Sequence, residues 1–197
     1  MNITAKQIAE FRAKTGLPMM ECKRALEEAS GDTEKAIEIL RKKGAAKAMK
    51  KAEREVKAGI IETYIHPGSQ IGVLLEVDAE TDFVTKNDEF KEFVHDVALH
   101  IAAMNPKCVS KDSVPTDDAE KEKKLFFEEI KGEGKPEAIA EKIVAGKMDK
   151  YFAEICLLSQ PFVKDPSITI TDLLNQKISK IGENIVIARF SRFEIGR

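Results

Sequence analysis

Three histidines and three cysteines are the residues best suited to chemistry, and their spacing argues against it. His95 and His100 fall in one helical stretch five residues apart, which turns them to different faces, and His66 lies outside it. No HExxH pair or Cys/His cluster supplies the convergent ligands that a metal needs. Cys22, Cys108 and Cys156 are far apart in sequence and form no CxxC pair. The chain begins MNITAKQIAEF, with neither an apolar signal core nor an Arg/Ser-rich transit composition. An odd cysteine count in that setting predicts reduced thiols and a cytoplasmic location. Gly132-Glu133-Gly134-Lys135 comes nearest to a phosphate loop, but it lacks the preceding strand and the following hydroxyl, and reads as a turn between helices. There is no GxSxG elbow, and carboxylates are spread over helix surfaces. Covalent catalysis, a bound metal and a cofactor are not expected.

Two stretches could act by binding instead. Arg41, Lys42, Lys43, Lys47, Lys50, Lys51, Arg54 and Lys57 could meet a phosphate backbone. Glu53 and Glu55 interrupt them and no aromatic residue interleaves for base stacking, so they read as a solvated helix face. The second stretch is Glu80-Thr-Asp-Phe-Val-Thr-Lys-Asn-Asp-Glu-Phe90, between a strand and a helix. Connections run over the surface and are usually polar. Phe83 in such a place either tucks under the turn into the core or projects outward as a wedge for a partner, with Asp82 carrying a negative charge beside it.

The elements that must position these residues are well marked. Thr4 and Gln7 fit a capping box with Ile3 stapled onto Ile8, and Gly16 ends that helix. Pro18 suits the first position of a second helix, whose inner face is Cys22, Ala25, Leu26 and Ala29, ended by Ser30-Gly31. Asp32 caps a third helix with Ala36, Ile37 and Leu40 inward, closed by Gly44. Residues 45–57 lack a strong apolar face and predict an exposed linker helix. The period then becomes two. Strands at 58–65 and 71–77 join at His66-Pro67-Gly68-Ser69, with Ile71, Val73, Leu75 and Val77 on one face. From Asn87 a helix carries Phe90, Phe93, Val94, Val97, Ala98, Ile101 and Ala102, closed by Pro106, and 107–115 reads as loop. A charged helix over 117–131 turns Leu125, Phe126 and Ile130 inward. Pro136 opens another, with Ile139, Ile143, Phe152, Ile155 and Cys156 inward. Residues 163–166 form a turn, 171–181 a short helix, and 183–194 a last strand with Val186, Ala188 and Phe190 on one face.

The fold class expected is α+β: a three-helix bundle, then helices packed on a small antiparallel sheet. The expected division is a three-helix module with its linker helix over 1–55 and an α+β core domain over 56–197 (hairpin 58–77, helices about 87–157, closing helix and strand 171–195). The 197 residues are 43% hydrophobic and 34% charged, the profile of a soluble globular chain, and none forms an apolar run long enough for a membrane span. A net charge of −2 gives no argument for nucleic acid.

Three ordered motifs make the chain recognisable. Thr15-Gly-Leu-Pro-Met-Met-Glu-Cys-Lys-Arg-Ala-Leu26 resembles the TGxxMMxCKxAL start of the elongation factor Ts family, continued by Gly31-Asp32, Ala36-Ile37 and Lys42-Lys43-Gly44. Glu76-Val77 followed by Thr81-Asp82-Phe83-Val84 resembles its core signature, and Ile181-Gly-Glu-Asn-Ile185 with Arg189-Phe190 and Arg192 its final strand. The resemblance spans nearly the whole chain. It implies a guanine nucleotide exchange factor for elongation factor Tu in bacterial translation, performing no covalent chemistry. It implies an N-terminal module similar to ubiquitin-associated domains, with Met19 and Met20 at positions that touch a helix of Tu and at least one of them facing it. It implies that Thr81, Asp82, Phe83 and Val84 insert beside the magnesium and phosphate site of Tu, and that Asp82 and Phe83 displace the ion. The chain has room for one core half and a helical region at about 107–157, as in the family's short form. That form pairs into homodimers and a two-plus-two complex with Tu, and Phe162-Val163 and the last strand are candidate seams. No membrane and no direct nucleic-acid contact is implied. The rival readings are a nucleic-acid or ribosome binder using the basic stretch, and an adaptor for ubiquitin-like proteins.

Overall fold

The Thr4 hydroxyl accepts the Gln7 amide at 3.3 Å while Gln7 Oε1 accepts the Thr4 amide at 2.9 Å, and this capping box starts α1 (Ala5–Thr15). Gly16 ends it in the left-handed conformation (φ 65°). The computed structural model describes residues 3–132 and 137–196. It continues with α2 (Met19–Glu28), α3 (Thr33–Lys51), β1 (Ala58–Ile65), β2 (Ile71–Ala79), α4 (Asp82–Thr85), α5 (Asp88–Met104), α6 (Thr116–Lys131) and α7 (Glu137–Ile155). The chain ends with β3 (Pro161–Phe162), β4 (Asp165–Thr169), α8 (Ile170–Ile181) and β5 (Ile185–Glu194). β1, β2 and β5 form a sheet with β2 in the middle, and β3 and β4 pair as a separate small one. The class is α+β.

Two compact units emerge. The first takes in Met1–Gly59, Asp78–Lys91 and Asp172–Val186. Its helical bundle closes over Ile8, Phe11, Leu17, Cys22, Ala25, Leu26, Ala29, Ala36 and Leu40, with Ile3 and Ile37 packed against them. Asp32 caps α3 by accepting the Glu34 and Lys35 amides. Pro18 stands one place earlier than expected, at the cap of α2, where its carbonyl accepts the Cys22 amide. Gly44 does not close α3. A glycine stop needs the positive φ that Gly16 adopts, and Gly44 lacks it. The helix runs on to Lys51 and absorbs the first half of the expected linker helix, while residues 52–57 are not helical.

The second unit takes in Ile60–Val77, Glu92–Thr171 and Ile187–Arg197. The hairpin turn is closed by the Ser69 amide on His66 O, with Gly68 and Ser69 both at positive φ. Val73, Leu75 and Val77 are buried, as are Phe93, Val94, Val97, Ala98 and Ile101 of α5. Helices α6 and α7 pack around Ile130, Ala140, Val144 and Met148. Leu125 and Ile139, expected inward, are exposed, because the packed rows run through neighbouring positions, Phe126 and Ile130 on α6 and Ala140, Val144 and Met148 on α7. The expected Pro136 helix start and Glu133-Gly134-Lys135 turn lie outside the described residues. The expected turn at 163–166 is the tip of the β3–β4 hairpin. In β5, Ile185 and Ile187 are buried, Val186 and Ala188 face solvent, and Phe190 is half-buried.

Candidate functional site

α4 is a single turn bracketed by fixed points, all within the first unit. On its near side Thr81 is held by Glu183. The carboxylate accepts the Thr81 amide at 3.0 Å and the Thr81 hydroxyl at 2.9 Å. Glu80 Oε1 accepts the Asn184 amide at 2.6 Å and pairs with Arg54 at 3.4 Å. Asn184 Nδ2 in turn donates to the Arg54 carbonyl at 3.0 Å. On the far side Asn87 caps α5 by accepting the Glu89 amide at 2.8 Å. Val84 and Thr85 are buried between these anchors, and the Thr85 hydroxyl donates to Asp82 O at 2.9 Å.

The fixed turn leaves one large side chain outside. Phe83 is 80% exposed. Asp82 is also at the surface, 2.6 Å from the Lys86 ammonium, whose hydrogen bond holds the carboxyl below the usual carboxylate range. The same ammonium lies 6.0 Å from the centre of the Phe83 ring. The four residues singled out in the sequence thus divide. Thr81 and Val84 anchor the turn, whereas Asp82 and Phe83 are presented to solvent. Met19 and Met20, also in the first unit, open α2 and are 49% and 57% exposed, so neither belongs to the bundle core.

Sequence reasoning assigned no role to Glu80, Glu183, Asn184 or Lys86. Glu183 and Asn184 do stand in the motif near the last strand, and Glu80 directly precedes Thr81, so the signal was adjacency to the motifs. The pairing of Thr81 with Glu183 spans 102 positions, and no local pattern gives it. The basic stretch is mostly neutralised. Lys42, Lys43, Lys47, Arg54 and Lys57 pair with Glu38, Glu28, Glu21, Glu80 and Glu55. Among the described residues, no cluster of His, Cys, Asp and Glu could hold a metal ion, and no helix is long and apolar enough to cross a membrane.

Residues 3–197 match the family model described as Elongation factor TS. The chain is 59% identical over 196 residues to the elongation factor Ts of Alkaliphilus metalliredigens, covering all of this chain and 91% of that protein. It is 53% identical to the elongation factor Ts of Fervidobacterium nodosum and 52% identical to that of Desulfotalea psychrophila, each over 196 residues that span both proteins.

Proposed function

This chain belongs to the elongation factor Ts family, a family of translation elongation factors, and we propose that it binds elongation factor Tu–GDP and drives exchange of GDP for GTP with the turn at residues 81–84. The observation that carries this reading is Phe83: a phenylalanine on a turn pinned at both ends, yet left in water. Folding gains nothing from that exposure, whereas a ring seated in a partner gains roughly 1.5–3 kcal/mol from area alone. Aromatic anchors of this kind dominate interface energetics.

A GTPase holds its nucleotide through a phosphate cradle and a Mg²⁺ ion bridging phosphate oxygens. A wedge led by Asp82 and Phe83 shifts the groups around the ion and loosens the phosphates. Thr81 and Val84 keep the wedge stiff, and no covalent bond is made or broken. The coupling is reciprocal, so GDP weakens this chain's binding as much as the chain weakens GDP. A weakening of about 10⁴ requires roughly 5.5 kcal/mol. One ring does not supply that. Further binding energy comes from Met19 and Met20, flexible and polarizable side chains suited to a helix surface, in a module over residues 1–55, and from the core over 56–197. The family setting supports a cytoplasmic partner.

Pairing into a homodimer, and a two-plus-two complex with Tu, belongs to the same reading. It is supported by the exposed apolar residues Ile61, Ile65, Leu74 and Phe193 of the sheet and Ile195 just beyond it. Of the seam candidates the last strand presents Phe193, and of Phe162-Val163 the phenylalanine is buried while the valine is exposed.

The experiment is release of a fluorescent GDP analogue from a bacterial elongation factor Tu. Wild type should accelerate release, and Phe83→Ala should lose most of the acceleration with its Tm within about 2 °C of wild type, as expected of an exposed position. No acceleration by the wild type sinks the reading. A large fall in Tm in the variant would return Phe83 to a folding role.

A further inference from the structure

We propose that Cys108 and Cys156 form a reversible dithiol–disulfide couple, in which a peroxide oxidises the half-buried Cys108 and the buried Cys156 resolves it into an intramolecular disulfide. The two stand 48 positions apart in sequence, and the fold of the second unit brings their sulfurs to 3.5 Å, with the Cys108 thiol directed at Cys156 Sγ. Their backbones are paired as well. Cys108 and Cys156 form a parallel bridge, with the Leu157 amide donating to Cys108 O at 2.9 Å and the Lys107 amide to Ile155 O at 2.8 Å. Neighbouring parallel strands lie about 4.7–4.9 Å apart, within the Cα separation of roughly 4.4–6.8 Å that a disulfide spans. Closing from 3.5 Å to a bonded sulfur pair takes a movement of about 1.5 Å, within reach of side-chain rotation and a small backbone adjustment.

The two thiols are unequal in the way such a couple needs. Cys108 retains solvent access, and Cys156 has none. Burial, and then the neighbouring Cys108, pushes the Cys156 thiol up to about 12, so the more accessible Cys108 is the thiol that meets peroxide first. The Cys108 sulfur attacks one peroxide oxygen, the O–O bond breaks, and the products are a sulfenic acid and water. The Cys156 sulfur then attacks the Cys108 sulfur and the S–O bond breaks. The Cys156 proton leaves with the hydroxide as a second water. In sum, two thiols are oxidised by two electrons and one peroxide is reduced to two waters. A dithiol reductant reverses the step by exchange. The disulfide would tie the segment after α5 to the end of α7 and enclose the α6–α7 pair.

The test uses the whole chain. Reduced protein is exposed to hydrogen peroxide, quenched, denatured and alkylated. We expect an intact mass lower by two hydrogens, a single alkylated cysteine per chain (Cys22, buried and bonded to Leu17 O), and a proteolytic fragment joining Cys108 to Cys156. The Tm should rise by on the order of 5–10 °C and return on reduction. In Cys108→Ala, peroxide should leave Cys156 open to alkylation. Three alkylated cysteines after a dose that oxidises glutathione, Cys108 over-oxidised with Cys156 still free, or a linkage between two chains would each overturn the proposal. The outcome is independent of nucleotide exchange.

Discussion

Phe83 and His100 occupy opposite side-chain environments in this protein. Phe83 is exposed and its neighbours fix only the backbone beneath it. His100 is fully buried, and its neighbours use both ring nitrogens. Nδ1 accepts the Val163 amide at 3.2 Å, so the proton must sit on Nε2, which donates to Gln160 Oε1 at 2.9 Å. Gln160 Nε2 passes the chain on to the Glu154 carbonyl at 2.6 Å. A second proton would evict the Val163 amide and place a charge in a dry site. Burial accordingly lowers the His100 pKa below the ordinary histidine range, with the Gln160 bond opposing in part. In the unfolded chain an ordinary histidine titrates at about 6.5. As pH falls through that value the unfolded state takes up a proton that the folded state refuses. The contribution to stability is therefore intact above about pH 6.5 and declines below it, down to the lowered folded value. Thermal unfolding between about pH 8 and 5 should show a Tm that falls on the acid side. His100→Gln should have a lower Tm overall and a flatter acid limb, and an unchanged acid limb in that variant would assign the effect to other groups.

Gly44 provides a test of how the third helix was extended. A mid-helix glycine costs about 1 kcal/mol relative to alanine, yet α3 passes through it. A Cβ there would meet the Asn175 carbonyl oxygen at 3.8 Å, an ordinary contact. Gly44→Ala should raise Tm by about 2–4 °C in a calorimetric scan. The same change at Gly16 should lower it, because the left-handed backbone there and the Lys180 ammonium at 3.2 Å both resist a side chain. Elements of this kind explain what the sequence could and could not reveal. Helices α1, α2, α5 and α8 and the β1–β2 hairpin were legible because capping residues, left-handed glycines and a clean period coincide in them. The stop at Gly44 was misread because a glycine signals a stop only at positive φ, which composition does not encode. Phe126 and Ile130 on α6 and Ile143 and Phe152 on α7 do face the core of that helix pair, whereas Leu125 and Ile139, each beside an apolar residue of the packed row, do not. Only the partner helix decides which row is buried. Strand β3 has two residues, too short for any period to register. At the site, the four motif residues were legible, but whether Phe83 faced in or out was not. Burial of Val84 and the hold of Glu183 on Thr81 set that, and both depend on tertiary packing.

At the scale of the whole molecule, charge is balanced and apolar surface is not. The net charge is −2, and the basic residues of α3 and the segment after it are largely paired with carboxylates. A phosphate backbone is bound by cations that displace its condensed counterions, and five of these basic side chains already face carboxylates. The exposed apolar residues of the sheet have no such internal answer. Leu74 lies on the central strand β2, with Ile61 and Ile65 on β1 and Phe193 on β5. A second copy placing its own sheet there would cover them by a self-complementary two-fold contact, the usual geometry of homodimers. The association would be apolar, so it should persist as salt is raised. Light scattering on the wild-type chain should give the mass of two chains at both low and high salt. Leu74→Glu and Phe193→Glu place a carboxylate in the seam and should each halve that mass. Their circular dichroism should remain that of wild type, because both positions are exposed in the single chain. A wild type that runs as one chain, or variants that stay paired, would remove the dimer from the proposed function while leaving the Phe83 wedge standing.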